Sequence, residues 1–347
     1  MRWSHLADAD TGAPALPLSL PGAVTRTFDT PEFAGMTFYE IHAKSIINRV
    51  PGASRVPFEW TVNPYRGCSH ACVYCFARNT HTYLDFDPGR DFDSRVVVKV
   101  NAGGLLRREL AAPRWAGAHI AMGTNVDCYQ RAEGRYRLMR EILAALRDAA
   151  NPFSILTKGT LITRDLDLLR QAAEVTTVGV SMSIGFVDEA LWRLVEPGTP
   201  SPRRRLDAVR RLSDAGFAVG VLMAPILPGL TDTAESIDAT VAAIAGAGAA
   251  SVMPIVLHLR PGAREWYAAW VARHRPDLLP RYRELYGSGS YAPAAYQRGV
   301  SARVRVAARR HGLNRDSDKA NPRELEPAVP TVHSAQKAEV MSQPTLL

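Results

Sequence analysis

Three of the chain's four cysteines lie within eight residues, in the segment NPYRGCSHACVYCFARN. Cys68, Cys72 and Cys75 have the spacing C-x3-C-x2-C, and Tyr74 stands directly before the last of them. Thiols this close together form disulfides, hold a zinc ion or ligate an iron–sulfur cluster. These possibilities differ in compartment and in fourth ligand, so the rest of the chain has to distinguish them.

The composition predicts a globular protein of the cytoplasm. The chain has 347 residues, of which 46% are hydrophobic and 22% are charged, which is a balance typical of soluble domains. Its start lacks the basic and apolar regions of a signal peptide, and we expect no membrane contact because no apolar run reaches about 18 residues. Because a reducing cytoplasm disfavours structural disulfides, metal binding or catalysis is the expected role of the clustered cysteines.

The net charge of +8 comes from arginine, which is concentrated in residues 202–211 and 301–315. Such charge can attract nucleic acid or another polyanion. The alternative is that these arginines simply lie on solvent-exposed helix faces and bind no partner. The sequence leaves both interpretations open.

Strand-like and helix-like segments alternate about six times from residue 56 onward. Short apolar runs of this kind suit parallel strands that are buried on both faces, and the alternation implies parallel crossovers in a barrel or an open sheet. The predicted strands are 58–62, 119–124, 153–157, 177–183, 218–226 and 252–259, with a further candidate at RVVVKV. The predicted helices are 136–149, 165–174, 188–195, 203–215 and 233–245.

The cysteine segment follows the first strand, and in barrels the chemistry gathers at the carboxyl ends of strands. We therefore predict an α/β fold with a six-fold (β/α) partial barrel. Its parts are an irregular N-terminal extension (1–35), the core domain (36–260), a C-terminal helical region (261–313) and a disordered tail (314–347), which is polar and rich in proline.

Three thiolates on one loop can hold three irons of a four-iron cluster and leave the fourth iron open to another ligand. A structural zinc site would instead need four protein ligands. His70, His81 or Cys128 could supply the fourth, so zinc remains an alternative at this point.

The C-x3-C-x-aromatic-C motif after the first strand of a βα repeat resembles the radical S-adenosylmethionine (SAM) superfamily. The segments GTNVDCYQRAE, ILTKGTLITRDLDLL, VSMSI, LVEPGTPSPRRR and MAPILPGLTD resemble its branch related to spore photoproduct lyase, also catalogued as DNA repair photolyase-like proteins. The resemblance runs from about residue 43 to 261. It implies a [4Fe-4S] cluster on Cys68, Cys72 and Cys75, with SAM bound to the open iron.

The resemblance also implies where the chain meets SAM. Asp127 and Glu133 follow the second strand, where related enzymes bind the amino group of the cofactor, although Glu133 could equally stabilise a helix N-terminus. Lys158 matches a lysine that meets the cofactor carboxylate. Ser181 and Ser183 match a ribose-contacting serine, with one expected to face inward and the other to be structural.

Arg205 matches an arginine of the same branch. Its guanidinium could bind the cofactor carboxylate or pair with Glu196. His258 and Arg260 end the sixth strand and are expected to face the substrate opening.

The chain departs from spore photoproduct lyase at two positions. Phe76 replaces a tyrosine that the lyase uses in radical relay, and Thr124 stands where the lyase has a hydrogen-donating cysteine. Spore photoproduct cleavage is therefore not expected. Cys128 is a candidate hydrogen donor, with a small buried side chain as the alternative.

The predicted function is reductive cleavage of SAM to a 5'-deoxyadenosyl radical that abstracts hydrogen from a substrate, for which DNA or RNA is one candidate. The expected partner is a reductant such as flavodoxin or ferredoxin. Two alternatives remain: a nucleic-acid-binding protein with a structural metal or iron–sulfur site, and a radical enzyme that acts on a peptide or small metabolite.

Overall fold

The computed structural model describes residues 22–51, 56–287 and 289–313. The predicted tail and the first 21 residues of the predicted extension lie outside these ranges. Within them, no helix is both long enough and apolar enough to cross a membrane.

Eleven strands and eleven α-helices are formed by the described residues. The strands are β1 (Val24–Arg26), β2 (Thr37–Ile41), β3 (Ile47–Arg49), β4 (Trp60–Val62), β5 (Tyr65–Arg66), β6 (Arg95–Lys99), β7 (Ile120–Met122), β8 (Phe153–Thr157), β9 (Val178–Ser183), β10 (Gly220–Ile226) and β11 (Ser251–Val256). The helices are α1 (Arg90–Ser94), α2 (Ala102–Leu110), α3 (Glu133–Tyr136), α4 (Leu138–Asp148), α5 (Leu166–Val175), α6 (Glu189–Val195), α7 (Pro202–Asp214), α8 (Ala234–Gly246), α9 (Ala263–His274), α10 (Leu279–Tyr286) and α11 (Ala294–Arg310). Short 3₁₀ helices cover Pro31–Phe33, Phe76–Leu84, Thr160–Asp165 and Pro276–Leu278.

The main sheet has the order β3-β4-β7-β8-β9-β10-β11. The six strands from β4 to β11 pair in parallel and in chain order, and β3 adds an antiparallel edge to β4. Within the described ranges, no pairing joins β11 back to β3 or β4. The predicted six-fold (β/α) partial barrel is therefore confirmed, because the six strands follow one another in one open sheet.

The two faces of this sheet differ in side-chain size. Large apolar residues such as Ile155, Val180 and Val221 are buried in the same hydrophobic core as residues of the surrounding helices. Many alternate positions carry small residues, which lie beside one another in rows: Ala121, Ser154 and Gly179 in one, and Ser181, Gly220 and Ser251 in the next. Leu156, Leu222 and Met253 also lie on this face. Side chains alternate across a strand, so several small residues share the face turned away from the helices, which we call the small-residue face.

A second sheet, of order β1-β2-β6-β5, has three strands before the cysteine segment in the chain and one, β6, after it. The prediction that residues 1–35 are irregular is wrong for part of this range, because β1 pairs antiparallel with β2. Phe28 and Phe33 also pack on the ring of Phe38, at 5.3 Å between centroids. Short aromatic segments like these carry little periodicity, and tertiary packing orders them.

Asp232 accepts hydrogen bonds that attach the C-terminal helices α10 and α11 to the main sheet. Its carboxylate accepts hydrogen bonds from Arg281 (2.8 Å) and Tyr296 (2.5 Å), and its carbonyl accepts one from Arg303 (2.7 Å). Asp232 lies in the loop that follows β10, so α10 and α11 are fixed at the carboxyl end of the strands.

Candidate active site

The cysteine loop (residues 67–75) begins directly after β5. Gly67 has a φ of 84°, and a Cβ there would lie 2.7 Å from the carbonyl oxygen of Arg95. The chain then makes two tight turns, in which Ala71 N–H bonds to the Cys68 carbonyl and Cys75 N–H to the Cys72 carbonyl, both at 3.2 Å. Cys68 and Cys72 are buried, and Cys75 is partly exposed.

Gln130, which the sequence did not reveal, holds the start of this loop. Its amide donates to the Gly67 carbonyl at 3.0 Å, and its oxygen accepts from Ser69 N–H at 2.8 Å. The Ser69 hydroxyl in turn accepts from Arg131 N–H at 3.1 Å. The segment after β7 thus fixes the position of Cys68.

Arg78 holds the other half of the loop and was also missed. Its guanidinium is fully buried and donates to the carbonyls of Cys72 (2.9 Å) and Gly89 (2.7 Å) and to both oxygens of Asp93 (2.9 Å). A planar guanidinium can make these bonds at once, whereas a lysine could not. In sequence, Arg78 is one of many arginines, and no local pattern marks it.

A third set of contacts comes from the segment after β9. Val73 N–H donates to the Val195 carbonyl, and Gly198 N–H donates to the His70 carbonyl, both at 3.0 Å. A Cβ on Gly198 would lie 2.1 Å from the carbonyl oxygen of Ser69, a distance that requires one of the two backbones to move.

We predict that Gly198→Ala displaces the cysteine loop. Anaerobically reconstituted protein should then hold less iron than the parent while its far-UV circular dichroism spectrum is unchanged. Gly246→Ala is the matched control, because nothing lies within 4 Å of a Cβ at that helical position. Equal iron content in both variants would contradict the prediction.

Asp127 connects the loop to the end of β8. One carboxylate oxygen accepts from Tyr129 N–H (2.8 Å) and the Thr157 hydroxyl (2.6 Å). The other accepts from Lys158 N–H (2.6 Å) and lies 3.3 Å from His70 Nδ1. Burial alone would raise the pKa of Asp127, but His70 and these donors hold it below its usual value. The carboxylate is thus occupied by positioning contacts.

Glu133 and Cys128 are both buried away from the solvent. Glu133 accepts from the Tyr65 hydroxyl (2.6 Å), Arg164 (2.7 Å) and Met139 N–H (3.1 Å), and burial raises its pKa. Cys128 lies in the hydrophobic core, and burial raises the pKa of its thiol. These surroundings suit a structural carboxylate and a small packed side chain.

Lys158 lies at the carboxyl end of β8. Its ammonium donates to the Ser183 hydroxyl and, at 3.1 Å, to the Ala224 carbonyl. Ser181 and Ser183 are two residues apart on β9, so both point to the same face, rather than only one of them as predicted. Ser181 lies beside Gly220, and Ser183 is the one that contacts the lysine.

Glu196 is a buried carboxylate surrounded by donors. Tyr74 of the cysteine loop and Arg205 of α7 both donate to it, and Lys158 Nζ lies 3.8 Å away. Burial alone would raise the pKa of Glu196, but Arg205, Lys158 and Tyr74 hold it below its usual value. Arg205 thus makes the ion pair that was one of its two predicted roles, and Glu196 links the loop to β8 and α7.

A family model described as the radical SAM superfamily matches residues 62–241. This range runs from the last residue of β4 into α8 and includes the cysteine loop. The chain belongs to the radical SAM superfamily. It is therefore an enzyme of radical SAM chemistry, and membership implies a [4Fe-4S] cluster and SAM.

Two protein relatives and one solved structure extend the comparison. An uncharacterized protein of Mycobacterium tuberculosis is 47% identical over 334 residues, which cover 95% of this chain and 98% of that protein. An uncharacterized protein of Methanocaldococcus jannaschii is 32% identical over 203 residues, covering 58% of this chain and 72% of that one. Spore photoproduct lyase complexed with dinucleoside spore photoproduct has a TM-score of 0.59 at 16% identity, over 79% of both chains, which shows a shared fold.

The donor set of the loop fits a radical SAM cluster. Burial raises the pKa of all three thiols, whereas Lys158 opposes this at Cys72 and Arg78 opposes it at Cys75. Among the described residues, no three His, Cys, Asp or Glu side chains are grouped so that they could hold a metal ion. A zinc ion needs its ligands around one point, while the cysteines of a four-iron cluster bind different irons. What favours the cluster over the zinc alternative is membership of the superfamily.

The small-residue face and one buried nitrogen fit a radical SAM cofactor. Lys158 is 13% exposed beside this face, whereas Arg205 is 1% exposed. Arg205 Nε is buried without a hydrogen-bond partner, although its other nitrogens bond to Glu196 and the Ser183 carbonyl. A buried donor of this kind calls for an acceptor.

Proposed function

We propose that Cys68, Cys72 and Cys75 hold the cluster, and that the enzyme starts a reaction on a nucleic-acid substrate by hydrogen abstraction. The observation that carries this proposal is the cysteine loop itself. Contacts from three different segments fix it at the carboxyl end of the strands.

When bound, the cluster with SAM supplies a 5'-deoxyadenosyl radical, which takes a hydrogen atom from the substrate. The protein's part is to hold and shield the three thiols. Gln130, Arg78 and Gly198 set the path of the loop, and burial of Cys68 and Cys72 keeps water away from them.

We propose that Lys158 binds the cofactor carboxylate. Of the two cations near Glu196, it is the one whose side chain is partly exposed. Ser183 orients its ammonium, and Ser181 lines the same face. We assign positioning roles to Asp127 and Glu133, since their polar groups are taken up by neighbouring residues. Arg205 pairs with Glu196, and its Nε remains for an acceptor that the cofactor would supply. Cys128 has a packing role in this proposal.

Nucleic acid is the substrate class that the charge favours. The net charge of the chain is +8. Part of the positive charge lies on α7, where Arg203, Arg204, Arg210 and Arg211 are exposed. The fold neighbour was solved with a dinucleoside photoproduct. Exposed arginines attract phosphates through a salt-dependent interaction, and a reductant of the flavodoxin or ferredoxin class would supply the electron.

The test is anaerobic reconstitution followed by chemical reduction. We expect about four irons per chain and release of 5'-deoxyadenosine and methionine from added SAM, with faster release when single-stranded or duplex DNA or RNA is present. Zinc in place of iron would refute the proposal. The protein could instead bind iron and cleave SAM faster with a peptide mixture but not with nucleic acid. That result would refute only the proposed substrate class.

A further inference from the structure

Three rings form a column between the cysteine loop and the surface. Phe76, directly after Cys75, lies 5.2 Å from the ring of His258, and His258 stacks on Tyr291 at 5.5 Å with 24° between planes. A backbone bridge between His258 and Tyr291 fixes the second contact. Tyr291 is 45% exposed, so the column reaches the solvent.

Arg260 adds a positive charge to this ring column. Its guanidinium carbon lies 5.4 Å from the centroid of the Phe76 ring, and its side chain is exposed. A cation held beside aromatic rings is the combination that binds a planar group carrying an anion.

A second aromatic group in the same region shows what simple packing looks like. Tyr267, Tyr282 and Tyr286 are all buried, and their hydroxyls bond to one another or to the carbonyls of Pro228 and Leu257. The ring column differs because it begins at the cysteine loop, ends at the surface and has an exposed arginine beside it. Packing alone does not require this arrangement.

We propose that the ring column and Arg260 bind one unpaired nucleotide of a nucleic-acid strand beside the active site, an inference that rests on the proposed nucleic-acid substrate. The base stacks on the rings, and Arg260 pairs with the adjoining phosphate. Bases within a duplex are covered on both faces by their neighbours, so a stacking site of this kind selects a single strand or an extruded nucleotide.

The experiment measures fluorescence anisotropy of a labelled oligothymidylate of about 12 nucleotides, titrated with the reconstituted full chain. Tyr291→Leu should weaken binding by about 5- to 100-fold, while Tyr291→Phe keeps the ring and should bind like the parent. Arg260→Gln should reduce the slope of log affinity against log salt by about 0.7. Tyr83→Leu is the control, since Tyr83 is 74% exposed and lies outside the column.

Binding that depends on an aromatic residue at position 291 and falls for an abasic strand of equal length supports the site. Parent-like binding by Tyr291→Leu, an equal loss in Tyr83→Leu, or equal affinity for the abasic strand overturns it. Cofactor cleavage is assayed separately on the same preparations. Cleavage without strand binding refutes this site and leaves radical chemistry standing, whereas Tyr291-dependent binding without cleavage supports the site and refutes the proposed function.

Discussion

Cys72→Ala should lose bound iron and release no 5'-deoxyadenosine after reconstitution. Removing one thiol leaves two of the three ligands that we propose for the cluster. The expected loss of activity is complete within detection, because the two remaining thiols of the loop cannot supply three ligands. Iron content, sulfide content and product release are measured together.

Cys128→Ala is the matched control for that variant, because it also removes a buried thiol. It should keep about four irons and its cleavage of SAM. Loss of the final product while cleavage persists would instead identify Cys128 as a hydrogen donor and contradict its packing role. Retained iron and cleavage in Cys72→Ala would refute the ligand assignment.

Glu196→Gln should lower the free energy of unfolding by about 3–5 kcal/mol, the usual result of breaking a buried ion pair from one side. The variant leaves Arg205 buried, with Lys158 nearby, and neither has a carboxylate to balance its charge. Because Tyr74 also bonds to Glu196, the cysteine loop should loosen and the iron content should fall. Denaturant unfolding of both proteins measures the difference.

The same variant predicts a pH dependence. The folded-state pKa of Glu196 lies below its usual value of 4.5, so its stabilising contribution is present above pH 4.5 and is lost as the pH falls through the folded-state pKa. The stability difference between parent and variant should therefore shrink in acid. A difference that stays constant down to low pH would show that Glu196 does not act through its charge.

Glu189→Gln provides the control for Glu196. This glutamate pairs with Arg193 on an exposed turn of α6, at 3.4 Å and with 46% of its side chain exposed. Exposed pairs contribute about 0–1 kcal/mol. If Glu189→Gln lowered the free energy of unfolding as much as Glu196→Gln does, burial of the ion pair would not explain the effect at Glu196.

The six parallel strands were predicted within about two residues in most cases, because short apolar runs between turns are a direct consequence of burial on both faces. β8 was predicted without error. The cysteine spacing also pointed to the superfamily, since it reflects local chemistry on one loop.

The contacts that hold the loop were not predictable from local patterns. Gln130, Arg78 and Gly198 act on residues that are between six and about 130 positions away, and only the folded chain shows which oxygen each nitrogen meets. Asp127 and Arg205 remain predicted site residues, and sequence could not show that Asp127 bonds to the Thr157 hydroxyl and Arg205 to Glu196 within the protein. The identity of a residue suggests its chemistry, whereas its partners decide its role.

The contacts around the cysteine loop have a consequence for maturation of the enzyme. Many small metal-binding domains are unfolded until the metal arrives, because nothing else orders their ligands. Here backbone and side-chain bonds from three segments order the loop, so most of the entropy cost of arranging the thiols falls on folding of the polypeptide. We therefore expect the chain to accept its iron after folding, with insertion limited by delivery of the cluster and by access to Cys75, the partly exposed thiol of the three proposed ligands.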